Sequence, residues 1–230
     1  MTNIYAIYGC GGYGREVMPL LRSYINKDSQ NKNNEFYFID DYENEKLEIN
    51  GHKVLSFKNF IKKFSQSKMY CCIAIADKEM RKKLTDKCLE NNISMISIFS
   101  NNSLVMDKVS IGDGSVLSHF VTITSNVIIG KSFHANIYSY VGHDCIIGDF
   151  VTFAPGVKCN GNVLIENGVY IGTGAIIYPG TKKNPLIIGK NSKVAAGSVV
   201  TKNIAKNSSV IGSPAKLLTR GLLRNLKNND

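Results

Sequence analysis

The sequence predicts an α/β domain with a small parallel sheet over residues 1–102, a solenoid of short parallel strands over 103–218, and a tail at 219–230. Two observations carry this reading: a βαβ alternation in the first part and a sixfold repeat in the second. A hydrophobic or small residue recurs at every sixth position for about a dozen repeats, at Ile111, Leu117, Ile123, Ile129, Ala135, Val141, Ile147, Phe153, Cys159, Ile165, Ile171 and Ile177. Glycine follows it at Gly112, Gly130, Gly142, Gly148 and Gly172, and a second small or β-branched residue recurs at Val127, Cys145, Val151, Val157, Val163 and Val169. Neither a helix (period 3.6) nor a lone strand (period 2) has this spacing. Three short strands per coil do, with the repeated residue pointing inward. Residues eighteen apart then stack one above another, at the ordinary inter-strand distance of ~4.8 Å.

The elements of the first part follow in order. Ile4 to Tyr8 reads as a strand, the glycine string Gly9-Cys-Gly11-Gly12-Tyr13-Gly14 as its turn, and the stretch carrying Val17, Leu20, Leu21 and Tyr24 as a helix. Phe36 to Ile39 is a second strand ending in Asp40-Asp41. A strand near Val54 leads to a helix at Phe57 to Phe64. Met69 to Ala76 is a strong strand, Lys78 to Glu90 a helix, and Met95 to Phe99 hands the chain to the solenoid. The polar stretch Lys27 to Asn34 is a loop. This alternation makes a parallel sheet of Rossmann-like type.

The glycine string fits G-x-G-x-x-G after a strand and before a helix, the context that pattern requires. Glycines there let backbone approach a phosphate, and the helix N-terminus adds partial positive charge. Asp40, ending the next strand, is placed to accept a ribose or base hydrogen bond. The domain is short for a full dinucleotide-binding sheet, so a pyrophosphate-linked mononucleotide fits better than NAD. A tight turn that merely needs small residues is the competing explanation.

Composition narrows the partners. Lys and Arg outnumber Asp and Glu 28 to 18, a formal net charge of +10 over 230 residues, which favours anionic ligands. The basic residues are dispersed without interleaved aromatics or an arginine run, so nucleic acid is disfavoured. No apolar run approaches ~18 residues, so no membrane span is expected. There is no basic, then apolar, leader pattern, and the expected location is cytoplasmic. The six cysteines lack metal-ligand spacing, and Cys145 and Cys159 fall on inward positions, where a thiol acts as a small hydrophobe.

The solenoid register breaks after Ile177 and resumes at Ile188, Val194 and Val200, implying an inserted loop of about five residues at Thr181 to Pro185. Lys182 and Lys183 lie on it. An exposed basic loop is the plainer reading, a phosphate contact the other. His143 occupies the third place of the Val141 hexad, outward near a corner. Stacking puts Ser125 below it and Gly161 above, then Pro179. A position without a side chain directly above the imidazole leaves a slot suited to a narrow, extended ligand. Asp144 follows and is placed to orient or charge-stabilise the ring.

The segment Asn136 to Asp149, with Tyr-Val-Gly-His143-Asp144, continuing through Ala154-Pro-Gly156 to Cys159-Asn-Gly161, resembles the hexapeptide-repeat acyltransferases. Together with the glycine loop, Ile73-Ala-Ile-Ala-Asp77, Met80-Arg-Lys-Lys-Leu84 and the closing Gly212-Ser-Pro-Ala-Lys216, it is similar to the nucleotide-sugar N-acetyltransferases of the bacillosamine, perosamine and viosamine type. The resemblance implies a left-handed parallel β-helix, an exception to right-handed crossover, and a homotrimer with acetyl-CoA between neighbouring β-helices. It implies that the N-terminal domain holds a nucleotide-linked 4-amino-4,6-dideoxy sugar, UDP- or dTDP-linked by preference, whose C4 amine is acetylated for bacterial surface glycan synthesis. His143 is then the general base and Asp144 its partner. Gly11, Gly12, Tyr13, Asp40, Asp41, Ala76 and Asn136 border the sugar nucleotide, and Thr152, Gly161, Thr173, Ala196 and Gly197 the acetyl-CoA; no metal is implied. The chain departs from the family in having Tyr13 for a frequent His, Ala76-Asp77 for Gly-Asn, and Thr152 for a His.

An amine attacks a thioester only when neutral, and the intermediate must then shed a proton, a task suited to neutral imidazole. O-acetylation of a sugar such as a sialic acid would use the same residues. A zinc β-helix lyase needs three converging histidines, a spacing that His119, His134 and His143 lack. A sensor that binds nucleotide sugar without catalysis is the remaining alternative.

Overall fold

The computed structural model describes residues 2–28, 34–42 and 48–219. Most of the Lys27 to Asn34 loop and of the 219–230 tail lies outside them. The chain divides into two compact units, Met1–Asn101 with Gly112–Ser118, and Asn102–Ile111 with His119–Asp230.

The first unit contains β1 (Asn3–Tyr8), α1 (Gly12–Asp28), β2 (Asn34–Ile39), β3 (Glu48–Ile49), β4 (His52–Leu55), α2 (Phe57–Phe64), β5 (Lys68–Ile73), α3 (Lys78–Glu90) and β6 (Ser94–Met95). The sheet order is β3-β4-β2-β1-β5-β6. All pairings are parallel except the β3–β4 hairpin. The chain leaves β1 toward β2 on one side and returns to β5 on the other. The C-terminal ends of β1 and β5 therefore flank a topological switch point, where open α/β sheets bind ligands.

Local sequence explains the helices. α2 is capped by Ser56, whose hydroxyl accepts from the Asn59 amide, and it buries Phe57, Phe60 and Phe64, spaced along one face. α3 is capped by Asp77, which accepts from the Met80 amide. Its inner face includes Arg81, fully buried. The Arg81 Nη1 donates to the carbonyls of Ile75 at 2.8 Å and Ala76 at 3.2 Å. The strand expected at Met69 to Ala76 accordingly ends at Ile73; Arg81 draws the Ile75 and Ala76 carbonyls, and Ala74–Asp77 becomes a loop.

The second unit is a left-handed parallel β-helix whose coils present three sheets. One face stacks His134–Ala135, Thr152–Phe153, Tyr170–Ile171 and Lys193–Val194. The next stacks Leu104–Val105, Thr122–Ile123, Tyr140–Val141, Lys158–Cys159 and Ile176–Ile177. The third stacks Ser110–Ile111, Ile128–Ile129, Ile146–Ile147 and Val163–Ile165. The repeated hexad residues form the buried axis: Ile123, Val141, Cys159 and Ile177 are each fully buried. Ile165 pairs with Ile188, so the inserted residues fall where the sequence places them. Their ends are held tightly, and the regular stack resumes above.

Two glycines of the β1–α1 turn serve packing. Gly9 has φ +100°, and a Cβ on Gly14 would lie only 1.9 Å from the Gly9 carbonyl oxygen. Gly14→Ala must push α1 off β1. The expected cost is about 1–3 kcal/mol, the range for overpacking, read as a lowered urea midpoint with an unchanged slope.

Candidate active site

His143 sits at the corner between the second and third faces, just after Tyr140–Val141, the third strand of the second face. Gly142 turns the chain there because a Cβ would come within 2.7 Å of the Asn160 carbonyl carbon and the Gly161 nitrogen in the next coil. Asp144 takes the left-handed conformation, φ +56°, with its amide donating to the Ser125 carbonyl at 3.2 Å. This local bend turns the carboxylate back onto its neighbour. His143 Nδ1 and Asp144 Oδ2 are 2.7 Å apart, with the side chains 62% and 48% exposed.

A neutral imidazole that donates from Nδ1 to a carboxylate carries its lone pair on Nε2. The hydrogen bond to His143 is the first cause holding the Asp144 carboxyl below its ordinary range, ahead of the His143 charge, Asn126 and Lys182, with desolvation opposing. The pair is arranged to stabilise an imidazolium as it forms.

The expected stacking of Gly161 against His143 is observed, and the ring lies in the space that a side chain at 161 would take. A Cβ on Gly161 would lie 2.6 Å from both Cε1 and Nε2 of His143. The imidazole itself fills the missing side chain's place, so glycine at 161 seats the ring.

In the first unit, Gly11 and Gly12 are exposed, and a Cβ on either would meet no heavy atom within 4 Å. Neither packing nor φ requires glycine there, so the pair leaves open space beside the start of α1. Asp40 ties this turn to β2: its Oδ2 accepts from the Cys10 amide at 3.2 Å and thiol at 3.3 Å, and its Oδ1 accepts from the Tyr42 amide. Ala76 is exposed on the facing loop.

Asp41 and Tyr13 do not present the groups their sequence positions suggested. Asp41 accepts from the Tyr8 hydroxyl at 2.6 Å, Lys87 at 2.9 Å and the Phe57 amide at 2.8 Å. Burial pulls its carboxyl upward, yet the Tyr8 hydrogen bond, with Phe57 and Lys87, leaves it lowered. Tyr13 packs against the core formed by Cys72 and Ala74, and burial pushes its hydroxyl well above the usual phenol range. In the sequence Arg81 stands beside Lys82 and Lys83 in a helix of mixed charge. Its register with buried Leu84, Thr85 and Cys88 was the available signal.

The remaining residues fall elsewhere on the coil. Asn136, Thr173, Ala196 and Gly197 lie at the corner between the first and second faces, and Thr152 lies buried on the first face. Within one chain these are not on the His143 corner. Thr173, Ala196 and Gly197 are exposed, and a Cβ on Gly174 or Gly197 would meet nothing within 4 Å. Among the described residues, no helix is long and apolar enough to cross a membrane, and no three His, Cys, Asp or Glu side chains converge as a metal site.

A Cβ at position 161 cannot coexist with the observed imidazole. Gly161→Ala is expected to keep the fold but rotate His143 away, with kcat falling at least tenfold and a melting temperature within a few degrees of wild type. Unchanged kcat would show that the seat does not matter.

Comparison with known proteins agrees with this arrangement. The family model of the PglD N-terminal domain matches residues 5–88. The GDP-perosamine N-acetyltransferase of Escherichia coli O157:H7 is 44% identical over 218 residues, 95% of this chain and 97% of that protein. The structure of WeeI from Acinetobacter baumannii AYE superposes with a TM-score of 0.88 at 47% identity, covering 94% of this chain and all (100%) of that one. The acetyltransferase domain of PglB from Neisseria gonorrhoeae FA1090, in complex with acetyl coenzyme A, shares the fold with a TM-score of 0.82 at 24% identity over 95% of this chain and 100% of that one. With a full-length relative at this identity and a glycine-turn α/β unit ahead of a hexapeptide β-helix, the chain belongs to the nucleotide-sugar N-acetyltransferases of the hexapeptide type.

Proposed function

We propose that this acetyl-CoA-dependent N-acetyltransferase acts on the C4 amine of a GDP-linked 4-amino-4,6-dideoxy sugar, with His143 as general base. The observation that carries the chemistry is the His143–Asp144 pair, its Nδ1 engaged at 2.7 Å and its ring seated over Gly161. Support for the nucleotide comes from the 44% identical GDP-perosamine enzyme. It favours GDP over the UDP or dTDP expected from the sequence.

The amine nitrogen attacks the thioester carbonyl, forming the C–N bond and a tetrahedral intermediate. Nε2 of His143 takes the N–H proton, and Asp144 stabilises the resulting imidazolium. Collapse breaks the C–S bond, and the proton passes to the departing thiolate. No covalent acyl-enzyme is needed. On this reading Gly11, Gly12, Asp40 and Ala76 border the sugar nucleotide. Asp41 holds the β2 end through Tyr8, Lys87 and Phe57, and Tyr13 packs against the core at the start of α1.

Of the residues assigned to acetyl-CoA, Gly161 lies against His143, whereas Thr173, Ala196 and Gly197 with Thr152 occupy a different corner or face, as does Asn136 from the sugar-nucleotide set. A second copy of the chain placing that edge against the His143 corner would complete the site. This is the physical argument for a homotrimer, the closed ring that an asymmetric pairing of corners produces.

His143→Ala should lower kcat by ~10²–10⁴, the usual worth of a general base, while the KM for the sugar nucleotide changes little. Near-wild-type turnover would remove His143 from the mechanism. In a second measurement, acetyl-CoA is offered with GDP-, UDP- or dTDP-linked 4-amino sugars, or with a sialic acid, and the acetyl group is located by NMR. Transfer to N4 of the GDP sugar, at least tenfold above the others in kcat/KM, is expected. Preferred transfer to a hydroxyl, or to another nucleotide, would overturn the assignment.

A further inference from the structure

The five-residue insertion at Thr181–Pro185 interrupts an otherwise regular solenoid, and its anchoring is specific. Its two ends hydrogen-bond to consecutive residues of the coil below: the Gly180 amide donates to the Gly161 carbonyl at 3.1 Å, and the Leu186 amide to the Asn162 carbonyl at 3.2 Å. Those residues sit directly on the catalytic corner. Gly161 carries the imidazole of His143, and the Asn162 amide donates to the His143 carbonyl at 2.9 Å.

The ends are also pinched together. A Cβ on Gly180 would lie 2.3 Å from the Leu186 nitrogen and 2.4 Å from the Asn162 oxygen. Between them the chain closes on itself. The Thr181 amide donates to the Asn184 carbonyl at 2.9 Å, and the Asn184 amide donates to the Thr181 carbonyl and hydroxyl, each at 3.1 Å. Lys182 and Lys183 are thereby fixed at the exposed tip of a short, internally bonded turn. A loose solvated loop would need none of these bonds.

Lys182 is among the charges acting on Asp144, although Asp144 is already paired with His143 and makes no ion pair with Lys182 within 4.0 Å among the described residues. The turn that carries both lysines is thus tied through its two ends to the residues packed against His143. Both substrates of the proposed reaction carry phosphates, and lysine binds phosphate as a mobile point charge.

We infer that the Thr181–Asn184 turn is a phosphate-binding arm of the active site, with Lys182 and Lys183 contacting a phosphate of one of the two substrates. This rests on the proposed acetyl transfer. The shared chemistry is a phosphate ester or diphosphate, and its two sources are the coenzyme and the sugar nucleotide.

The test is the charge-reversed double variant Lys182→Glu/Lys183→Glu, whose exposed positions leave the fold intact. One KM should rise about tenfold or more at low ionic strength, the scale of a lost charge-assisted hydrogen bond, with kcat within threefold of wild type. Added salt should narrow the gap. S-acetylpantetheine, a donor without phosphates, identifies the source. If the variant's penalty disappears with it, the arm binds the coenzyme. If the penalty persists and calorimetry shows weaker GDP binding, the arm binds the sugar nucleotide. KM values and CoA and GDP affinities all within twofold of wild type would overturn the proposal, as would a loss confined to kcat. Calorimetry with CoA and GDP needs no turnover. A wild-type protein that binds them but acetylates no sugar would refute the proposed reaction and still report on the arm.

Discussion

The vertical stacking of coils is the constraint on which the rest of the solenoid depends. Each coil is bonded to the next through its main chain, as in the Gly142 amide to the Cys159 carbonyl at 2.7 Å and the Tyr140 amide to the Val157 carbonyl at 2.9 Å. Side chains at the inward positions must then match in size from coil to coil, and corner backbones approach so closely that some positions admit no Cβ. The His143 corner shows this. Gly142 is glycine because the next coil leaves no room, whereas Gly161 is glycine because the imidazole of His143 uses its room.

The α/β unit solves its packing differently but reaches the same economy. Gly14 lets α1 lie against the Gly9 carbonyl, while Arg81 reaches from α3 to hold the Ile75 and Ala76 carbonyls. Burial lowers the Arg81 pKa to about 10, still far above neutrality, so the group remains a cation in a mostly apolar setting. A buried guanidinium is expensive, and it persists where it satisfies carbonyls that a loop would otherwise leave unmade. With these two braces in place, the open glycines Gly11 and Gly12 face the exposed Ala76 loop across the switch point of the sheet.

Charge is distributed with the same logic. The formal charge of +10 is not a patch. The lysines with an assigned role here work singly or in a pair: Lys87 on Asp41, and Lys182 with Lys183 at the tip of a fixed turn. Dispersed cations attract anionic substrates at long range.

Much of this was legible in the sequence. The period of six fixed the coil length, hence the register, hence Gly161 above His143 and the place of the inserted loop, because stacking of parallel strands converts spacing into position. The strand–glycine–helix order of the first part was equally local. What tertiary structure alone decided was the direction of side chains and the partners that claim them. Asp40 and Asp41 are adjacent, yet neighbouring residues at a strand end point to opposite sides; one braces the glycine turn, and the other is consumed by Tyr8, Lys87 and Phe57 from distant segments. The hydroxyl of Tyr13, the burial of Arg81 and the imidazole's entry into the space over Gly161 likewise depend on packing between residues far apart in the chain. Sequence repeats specify where backbones stack, but only the folded chain settles which side chain fills the space that stacking leaves.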